Sequence, residues 1–386
     1  MGKSEEMKKF VIISDFNTHN PNRGSQALSY GSIPFLVGKG YLSKNQELIN
    51  YWFVKAFWKS RYKTRIESYK VGTDEWTRKV VYIPFFEKFL FDKFNVLLPF
   101  TKLRRIVRNT SLVAAINGGD GFADIYSKSD FLGHIYDSLW AIKNNIPVVI
   151  LPQTLGPFKD NYTFELAKEV LTSAKEVFVR DNKFVNELDK MGVKYELTED
   201  LSAFMQPEPW DIDIKPGSIG VNVSGLCYDN KYGNLSGQFA AYPELIDRII
   251  THFQRKGKTV YLIPHSYCYG NPEPNNDDIV ACEKAYNRLL DKTNVVFVNQ
   301  DLPSPRVKYV ISKMSFFIGT RMHANFAAIY THVPLFGLAY SYKFAGAFNA
   351  NGLNGEEQTA MVNNIQESDI DLIIDKIERF YAKQNA

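Results

Sequence analysis

Arg321 and His323 stand one residue apart, just beyond the apolar run Phe316, Phe317, Ile318 and its end at Gly319-Thr320. The following residues, Ala324, Phe326, Ala327, Ala328 and Ile329, continue at helical spacing, and Pro334 opens another apolar run. This order places a cation and an imidazole where a strand feeds a helix. A helix N-terminus presents unpaired N–H groups that suit an anion. In open α/β sheets, ligands sit outside the carboxyl ends of the strands. The chemistry suggested is anion binding coupled to proton transfer. The competing reading is an exposed arginine beside a packed histidine.

Other strand ends carry polar residues of the same kind. After the first strand come Asp15 and then Asn22, Arg23, Gly24, Ser25 and Gln26. Gly24 permits close backbone approach, and the loop resembles a cradle for an anion or a sugar; a capped loop is the alternative. It is neither a Walker loop nor a GxGxxG turn. Asn117, Gly118, Gly119, Asp120 and Gly121 follow a second apolar run. Glycines there let backbone approach a ligand, and Asp120 is placed to orient or deprotonate a hydroxyl, or to cap the turn. Gln153 and Thr154 offer neutral hydrogen bonds. Arg180 is a candidate clamp for a carboxylate or phosphate, or a partner of Asp181 or Asp200. In the second half, strand ends present Ser224, then His265 and Ser266. No His-x-x-x-His or carboxylate spacing suggests a metal, and no Gly-x-Ser-x-Gly elbow is present.

Alternating short β-rich runs and helical stretches must position these residues, which indicates parallel α/β units. The expected organisation is an N-terminal α/β domain over 1–212 and a C-terminal α/β domain over 213–365. A last helix over 366–386 could pack back on the first domain. The Pro-rich, charged stretch 206–217 is the expected linker, and two such domains suggest a ligand cleft. The net charge of +4 over 386 residues does not point to nucleic acid. Cys227, Cys268 and Cys282 form no CxxC pair and fit small core residues of a reducing compartment. The opening MGKSEEMKKF lacks the features of a secretory signal, and Glu6 breaks the myristoylation pattern. No run approaches the length of a membrane span. The expected location is cytoplasmic, with peripheral contact at the inner membrane surface left open.

Residues 51–108 differ from the rest. They hold 14 Lys/Arg against 5 Asp/Glu, and 15 aromatics including Trp52, Phe57, Trp58, Phe85, Phe86, Phe89 and Phe94. The expectation is a basic-aromatic insertion. It either covers the first domain, meets a membrane or lipid-linked substrate, or stacks nucleic acid bases.

The ordered set NRGSQAL, NGGDGFAD, LPQTLGPF, FVRDNKFVNEL, the His-Ser of IPHSY and GTRMHANFAAIYTHVPLFGLAYSYK resembles the polysaccharide pyruvyl transferase family over 12–343. The resemblance implies two Rossmann-like domains facing a cleft in a GT-B-like architecture. It implies transfer of the enolpyruvyl group of phosphoenolpyruvate onto a sugar of a cell-surface polysaccharide, or its lipid-linked precursor. The products are a pyruvate ketal and phosphate. By motif, Arg180, Arg321 and His323 fall on the family's functional Arg, Arg and His positions, and Lys343 closes the last motif. This chain departs from many members in having Ser25 and Gln26 where they have two acids, Phe184 where they have a Ser, and Thr198-Glu199-Asp200 where they have Ala-Pro-Asp.

The expected roles are His323 as general acid, Asp120 at the acceptor, and His265 at the departing phosphate. Arg321 and Arg180 are the expected anion clamps. Asn22, Gly24, Ser25, Asn117, Gly118, Gly119, Gln153, Thr154, Ser224, Ser266 and Lys343 are the expected substrate-binding residues. No cofactor or metal is expected beyond phosphoenolpyruvate as co-substrate. The alternatives are a GT-B-type glycosyltransferase using a nucleotide sugar and a non-catalytic glycan-binding subunit.

Overall fold

The computed structural model describes residues 9–55, 62–341 and 343–384. Phe57, Trp58 and the first eight residues lie outside that description. The chain divides into two compact units, residues 1–16 with 28–204 and residues 17–27 with 205–386.

The first unit carries an eight-stranded sheet. Its strands are β1 (Phe10–Ser14), β2 (Glu47–Val54), β3 (Arg65–Val71), β4 (Asp74–Pro84), β5 (Thr110–Ala115), β6 (Val148–Gln153), β7 (Glu176–Val179) and β8 (Glu196–Leu197). Their spatial order is β3-β4-β2-β1-β5-β6-β7-β8. All neighbours pair in parallel except β3, which forms an antiparallel hairpin with β4. The helices are α1 (Arg23–Gly38), α2 (Phe85–Phe94), α3 (Lys102–Asn109), α4 (Lys128–Lys143), α5 (Asn161–Ser173), α6 (Val185–Met191) and α7 (Leu201–Phe204). β1 and β6 are buried along their whole length, as parallel strands covered by helices on both faces must be.

The second unit has strands β9 (Ile219–Asn222), β10 (Val260–Leu262), β11 (Val295–Phe297), β12 (Phe316–Gly319), β13 (Leu335–Ala339) and β14 (Thr359–Met361). They are all parallel, in the order β11-β10-β9-β12-β13-β14. That is the doubly wound order, third-second-first-fourth-fifth-sixth, in which the sheet changes winding direction between its first and fourth strands. Its helices are α8 (Gly225–Asp229), α9 (Tyr242–Arg255), α10 (Asp278–Arg288), α11 (Ser304–Ser312), α12 (Met322–Ile329), α13 (Lys343–Ala350), α14 (Gly355–Gln358) and α15 (Glu367–Gln384).

Three expectations change. Residues 51–108 are not an insertion: β2 and β4 are parallel members of the main sheet, and only the β3–β4 hairpin is added at its edge. Tyr69, Trp76, Val80, Ile83 and Phe91 are buried there, so part of the aromatic content serves packing while Trp52 and several phenylalanines stay exposed. The domain boundary lies at 204/205 rather than 212, and residues 17–27 belong with the second unit. The last helix also belongs to the second unit. Ile370, Ile373, Ile377, Phe380 and Tyr381 of α15 join the core made with Ile246, Ile249, Ile250 and Phe253 of α9. His252 meets Glu378 at 2.8 Å along the same seam.

Candidate functional site

The second unit gathers eight of the sixteen expected residues near its winding change, between β9 and β12. Arg321 is the N-cap of α12, with extended backbone (φ −87, ψ 135). Its N–H donates to Asn222 Oδ1 at 2.8 Å, which ties the end of β12 to the end of β9. Its side chain turns to Asp278, the first residue of α10. Nη2 donates to Asp278 Oδ1 at 2.7 Å and to Asn276 O at 2.8 Å, and Nε reaches Asp278 Oδ1 at 3.1 Å. Asp278 is 0% exposed. It also accepts from the N–H groups of Gly225, His265 and Ser266. A buried carboxylate needs this many donors to remain charged. Burial opposes the charge of Arg321, but the Asp278 pair outweighs it and holds the guanidinium above its ordinary range.

Arg321 is therefore not an unoccupied fork awaiting a ligand. Nη1 alone has no hydrogen-bond partner among the described residues. The expected bidentate clamp is corrected on this point: its best-aligned donors are committed to Asp278 and Asn276.

His323 lies in the first turn of α12, with its ring edge-on to Phe326 at 5.4 Å. The imidazole rests on Gly24: a Cβ built there would stand 2.6 Å from His323 Nδ1. This is a close approach that only glycine allows. The loop carrying Gly24 runs antiparallel to residues 265–267. Arg23 N donates to His265 O at 3.1 Å, Tyr267 N donates to Pro21 O at 3.1 Å, and Asn22 bridges Ser266. Asn22 Oδ1 accepts from Gly24 N at 2.9 Å and shapes the turn. Arg23 is 4% exposed and locks the loop in place. Its guanidinium donates to the carbonyls of Pro21, Tyr267 and Leu302 and pairs with Asp301, stacked over the Tyr267 ring at 3.7 Å. Ser25 sits half-buried behind Gly24, and Gln26 accepts from Ser304 N at 2.9 Å.

His265 is buried. Desolvation first, then the nearby His323, Arg23 and Arg321, push its pKa well below the ordinary 6.5. It is thus a neutral imidazole at pH 7. Ser224 is buried at the end of β9, where its N–H donates to the Tyr242 hydroxyl. Lys343 heads α13; its side chain lies outside the described residues.

The first unit builds a different constellation at its own winding change, between β1 and β5. Asn117, Gly118 and Gly119 all take left-handed backbone (φ 49, 63 and 91). A Cβ on Gly119 would meet Leu28 Cδ1 at 2.7 Å and Arg180 Nη1 at 3.2 Å. Asn117 donates to His134 O at 2.6 Å and accepts from Gln153 Nε2 at 3.1 Å. Gln153 Oε1 is buried and unpaired among the described residues. Thr154 N donates to Gly119 O at 3.0 Å. Arg180 donates to Asp200 at 2.7 Å and to Thr154 Oγ1 at 3.1 Å. Burial opposes its charge, yet Asp200 chiefly, with Asp120 and Asp181, raises its pKa. Of the two expected partners, Asp200 is the closer at 2.7 Å, and Asp181 pairs more loosely at 3.8 Å. Asp120 is half-buried and accepts from the Tyr126 hydroxyl at 3.1 Å.

Sequence reasoning missed the dyad beside this turn. Asp15, directly after β1, holds left-handed backbone at φ 58, an uncommon state for a residue with a Cβ. Its Oδ2 meets His134 Nδ1 of α4 at 2.6 Å. The pair is open to solvent, with His134 30% and Asp15 38% exposed. The hydrogen bond to Asp15 raises the His134 pKa despite partial burial, and Asp130 and Asp120 add to it. One turn along α4, the half-buried Asp137 accepts from Ser14 at 2.8 Å and from Tyr51, pinning the helix to β1. Position 15 at a strand end was a usable signal; His134, inside a helical pattern, gave none.

Among the described residues, no group of three or more His, Cys, Asp or Glu is arranged to hold a metal ion. No described helix is long and apolar enough to cross a membrane.

A family model described as polysaccharide pyruvyl transferase matches residues 27–342, most of the chain and every strand from β2 to β13. The chain belongs to the polysaccharide pyruvyl transferase family. A search of curated proteins finds no match. Among solved structures, the UDP-GlcNAc 2-epimerase of Methanocaldococcus jannaschii is similar at TM-score 0.53 and 10% identity, covering 96% of this chain and 92% of that one. A putative epimerase of the same kind from Listeria monocytogenes gives 0.53 and 10%, over 96% and 88%. The Neisseria meningitidis epimerase bound to UDP-GlcNAc gives 0.50 and 12%, over 98% and 94%. At such identities the likeness concerns fold alone, and the fold of this pyruvyl transferase family member is GT-B-like, with two α/β units as expected.

Proposed function

We propose that this chain transfers the enolpyruvyl group of phosphoenolpyruvate to a sugar of a polysaccharide or of its lipid-linked precursor. The observation that carries the reading is the cationic and imidazole cluster at the β9/β12 winding change, set in a chain of this family. In the proposed reaction the donor anion lies at the N-terminus of α12, against Arg321 Nη1 and the backbone N–H groups there. His323 protonates the methylene carbon, which becomes the ketal methyl and leaves an oxocarbenium-like centre at C2. One sugar hydroxyl attacks C2 and gives up its proton. The C2–O bond to phosphate breaks, and inorganic phosphate leaves carrying the proton that the first hydroxyl gave up, relayed through solvent. The second hydroxyl closes the ring, and its proton restores His323. Neutral His265 positions the phosphate, and Arg23 holds the loop on which His323 rests.

The glycine turn of the first unit is assigned to the acceptor. Gln153 Oε1 and Asp120 supply acceptors for sugar hydroxyls, and the Asp15–His134 dyad beside the same turn offers, in its neutral form, a base for a hydroxyl proton. A carboxylate that orients an imidazole is the usual arrangement for a general base. No cofactor is assigned, and the donor's charge is met by protein cations; chelation with EDTA should leave donor affinity unchanged.

Phosphorus NMR of phosphoenolpyruvate with a panel of galactosides and N-acetylmannosaminides tests the reaction. Acceptor-dependent release of phosphate with ketal formation is expected. Consumption of a nucleotide sugar, with phosphoenolpyruvate untouched, would replace this reading with a glycosyltransferase.

A further inference from the structure

Residues 85–108 turn an apolar face to solvent. Along α2, Phe85, Phe86, Phe89 and Lys93 fall within one 100° sector at helical spacing, and all four are exposed. Phe91 and Glu87 face inward and are buried. An isolated soluble unit gains by the opposite arrangement. Phe94, 65% exposed, packs its ring against Phe89 at 6.2 Å, and Val96 extends the patch. Phe100 stands fully exposed with left-handed backbone (φ 59). A bulky residue in that state is an outlier, and nothing among the described residues of its unit covers its ring to offset the cost.

The charges around the patch have one sign. Lys93, Lys102, Arg105 and Arg108 are exposed. On α3 the exposed basic positions 102, 105 and 108 lie opposite the buried Leu103, Ile106 and Val107. The two acids nearby do not offset them. Glu87 is buried and accepts from Leu103 N, and burial raises its pKa. Asp92 is taken up by Lys88 and by the Tyr136 hydroxyl at 2.7 Å. Arg104 donates to Leu97 O at 2.9 Å and fastens the linker between the helices to α3.

Exposed phenylalanines beside a ring of uncompensated cations match an anionic bilayer: rings enter the acyl boundary while lysines and arginines meet headgroups. We propose that α2, α3 and the linker between them form a peripheral docking surface for an anionic phospholipid membrane. It needs no spanning helix, and it stands whether or not the reaction proposed above is correct. Together with that reaction, it would bring the enzyme to lipid-linked saccharides.

The test is flotation of the full chain with vesicles of phosphatidylcholine alone or mixed with phosphatidylglycerol, without donor or glycan. The wild type should float with the anionic vesicles at about 0.1 M salt and much less at about 1 M, where the screening length falls from about 10 Å to about 3 Å. The triple variant Phe85→Ser, Phe89→Ser, Phe94→Ser should partition at least about tenfold less with an unchanged melting temperature, since its positions are exposed. The variant Lys93→Gln, Lys102→Gln, Arg105→Gln should lose the preference for phosphatidylglycerol. Absence of wild-type flotation at low salt, or equal flotation by the phenylalanine variant, would overturn the proposal. So would a vesicle-free dimer that the serine variant dissociates, because the patch would then be covered by a second copy.

Discussion

The two winding changes use the same location in their sheets for different electrostatic purposes. In the second unit the cation is built in: Arg321 is held against a fully buried Asp278, His265 is kept neutral, and His323 is propped on a glycine. In the first unit the acidic side leads: Asp15 grips a half-buried His134, and Arg180 is held chiefly by Asp200. Both units bury the carboxylate that holds an arginine, Asp278 in one and Asp200 in the other, and they differ in the imidazole: His265 is buried, whereas His134 is half-exposed beside a surface Asp15. Burying the carboxylate fixes the arginine; leaving it at the surface favours the charged imidazole.

The largest expected break in this comparison is His323→Ala. Loss of the general acid should lower phosphate release about 10²–10⁴-fold, with the fold and acceptor KM retained. Near-normal turnover in the folded variant would remove His323 from the chemistry. Asp278→Ala comes next. It leaves a largely buried guanidinium without its counter-ion and should cost about 3 kcal/mol of stability in denaturant unfolding. An unchanged midpoint would mean that the pair does not organise the site.

Gly24→Ala should then cost about tenfold or more in kcat with the donor still bound, because the added methyl displaces the imidazole and small misplacements are expensive. An unaltered kcat would show that the ledge beneath His323 has no role. In the first unit, Asp15→Asn tolerates the left-handed backbone and should move the acidic limb of the kcat profile to lower pH. Asp15 raises the His134 pKa, so its removal lets the base form persist further into acid. A limb that stays in place would exclude His134 as the base.

The smallest effect concerns stability. The folded His265 pKa lies well below 6.5, so below pH 6.5 the unfolded chain binds a proton that the folded chain does not. Stability should be full above that pH and fall toward acid with a slope of at most about 1.4 kcal/mol per pH unit. His265→Gln should flatten this slope, and a slope unaffected by the substitution would refute the assignment.

The sequence was most legible where burial is complete. The runs at β6 and β12 could only be parallel core strands, and the polar residues at their ends, Gln153 and Arg321, stand out in the sequence. It was least legible where surface and core share a segment. Residues 51–108 looked like an insertion because basic residues and exposed rings concealed the inward positions Val80, Ile83 and Phe91. Local pattern also carries no record of which unit a loop joins. Asn22, Gly24 and Ser25 follow β1 in the chain, yet hydrogen bonds to residues 265–267 place them with His323. Asp278 resembled any acid opening a helix, and its pairing with Arg321 spans 43 positions.

The loop of residues 17–27 has a consequence for biosynthesis. Its anchors, Tyr267, Asp301 and Leu302, emerge from the ribosome long after Arg23 does. The second unit thus cannot mature as an autonomous C-terminal module, since the ledge beneath His323 is an early segment that must wait, unsealed, for late partners. A chain cut at the 204/205 boundary would separate His323 from Gly24, and only co-expression of both pieces could restore the seat of the imidazole.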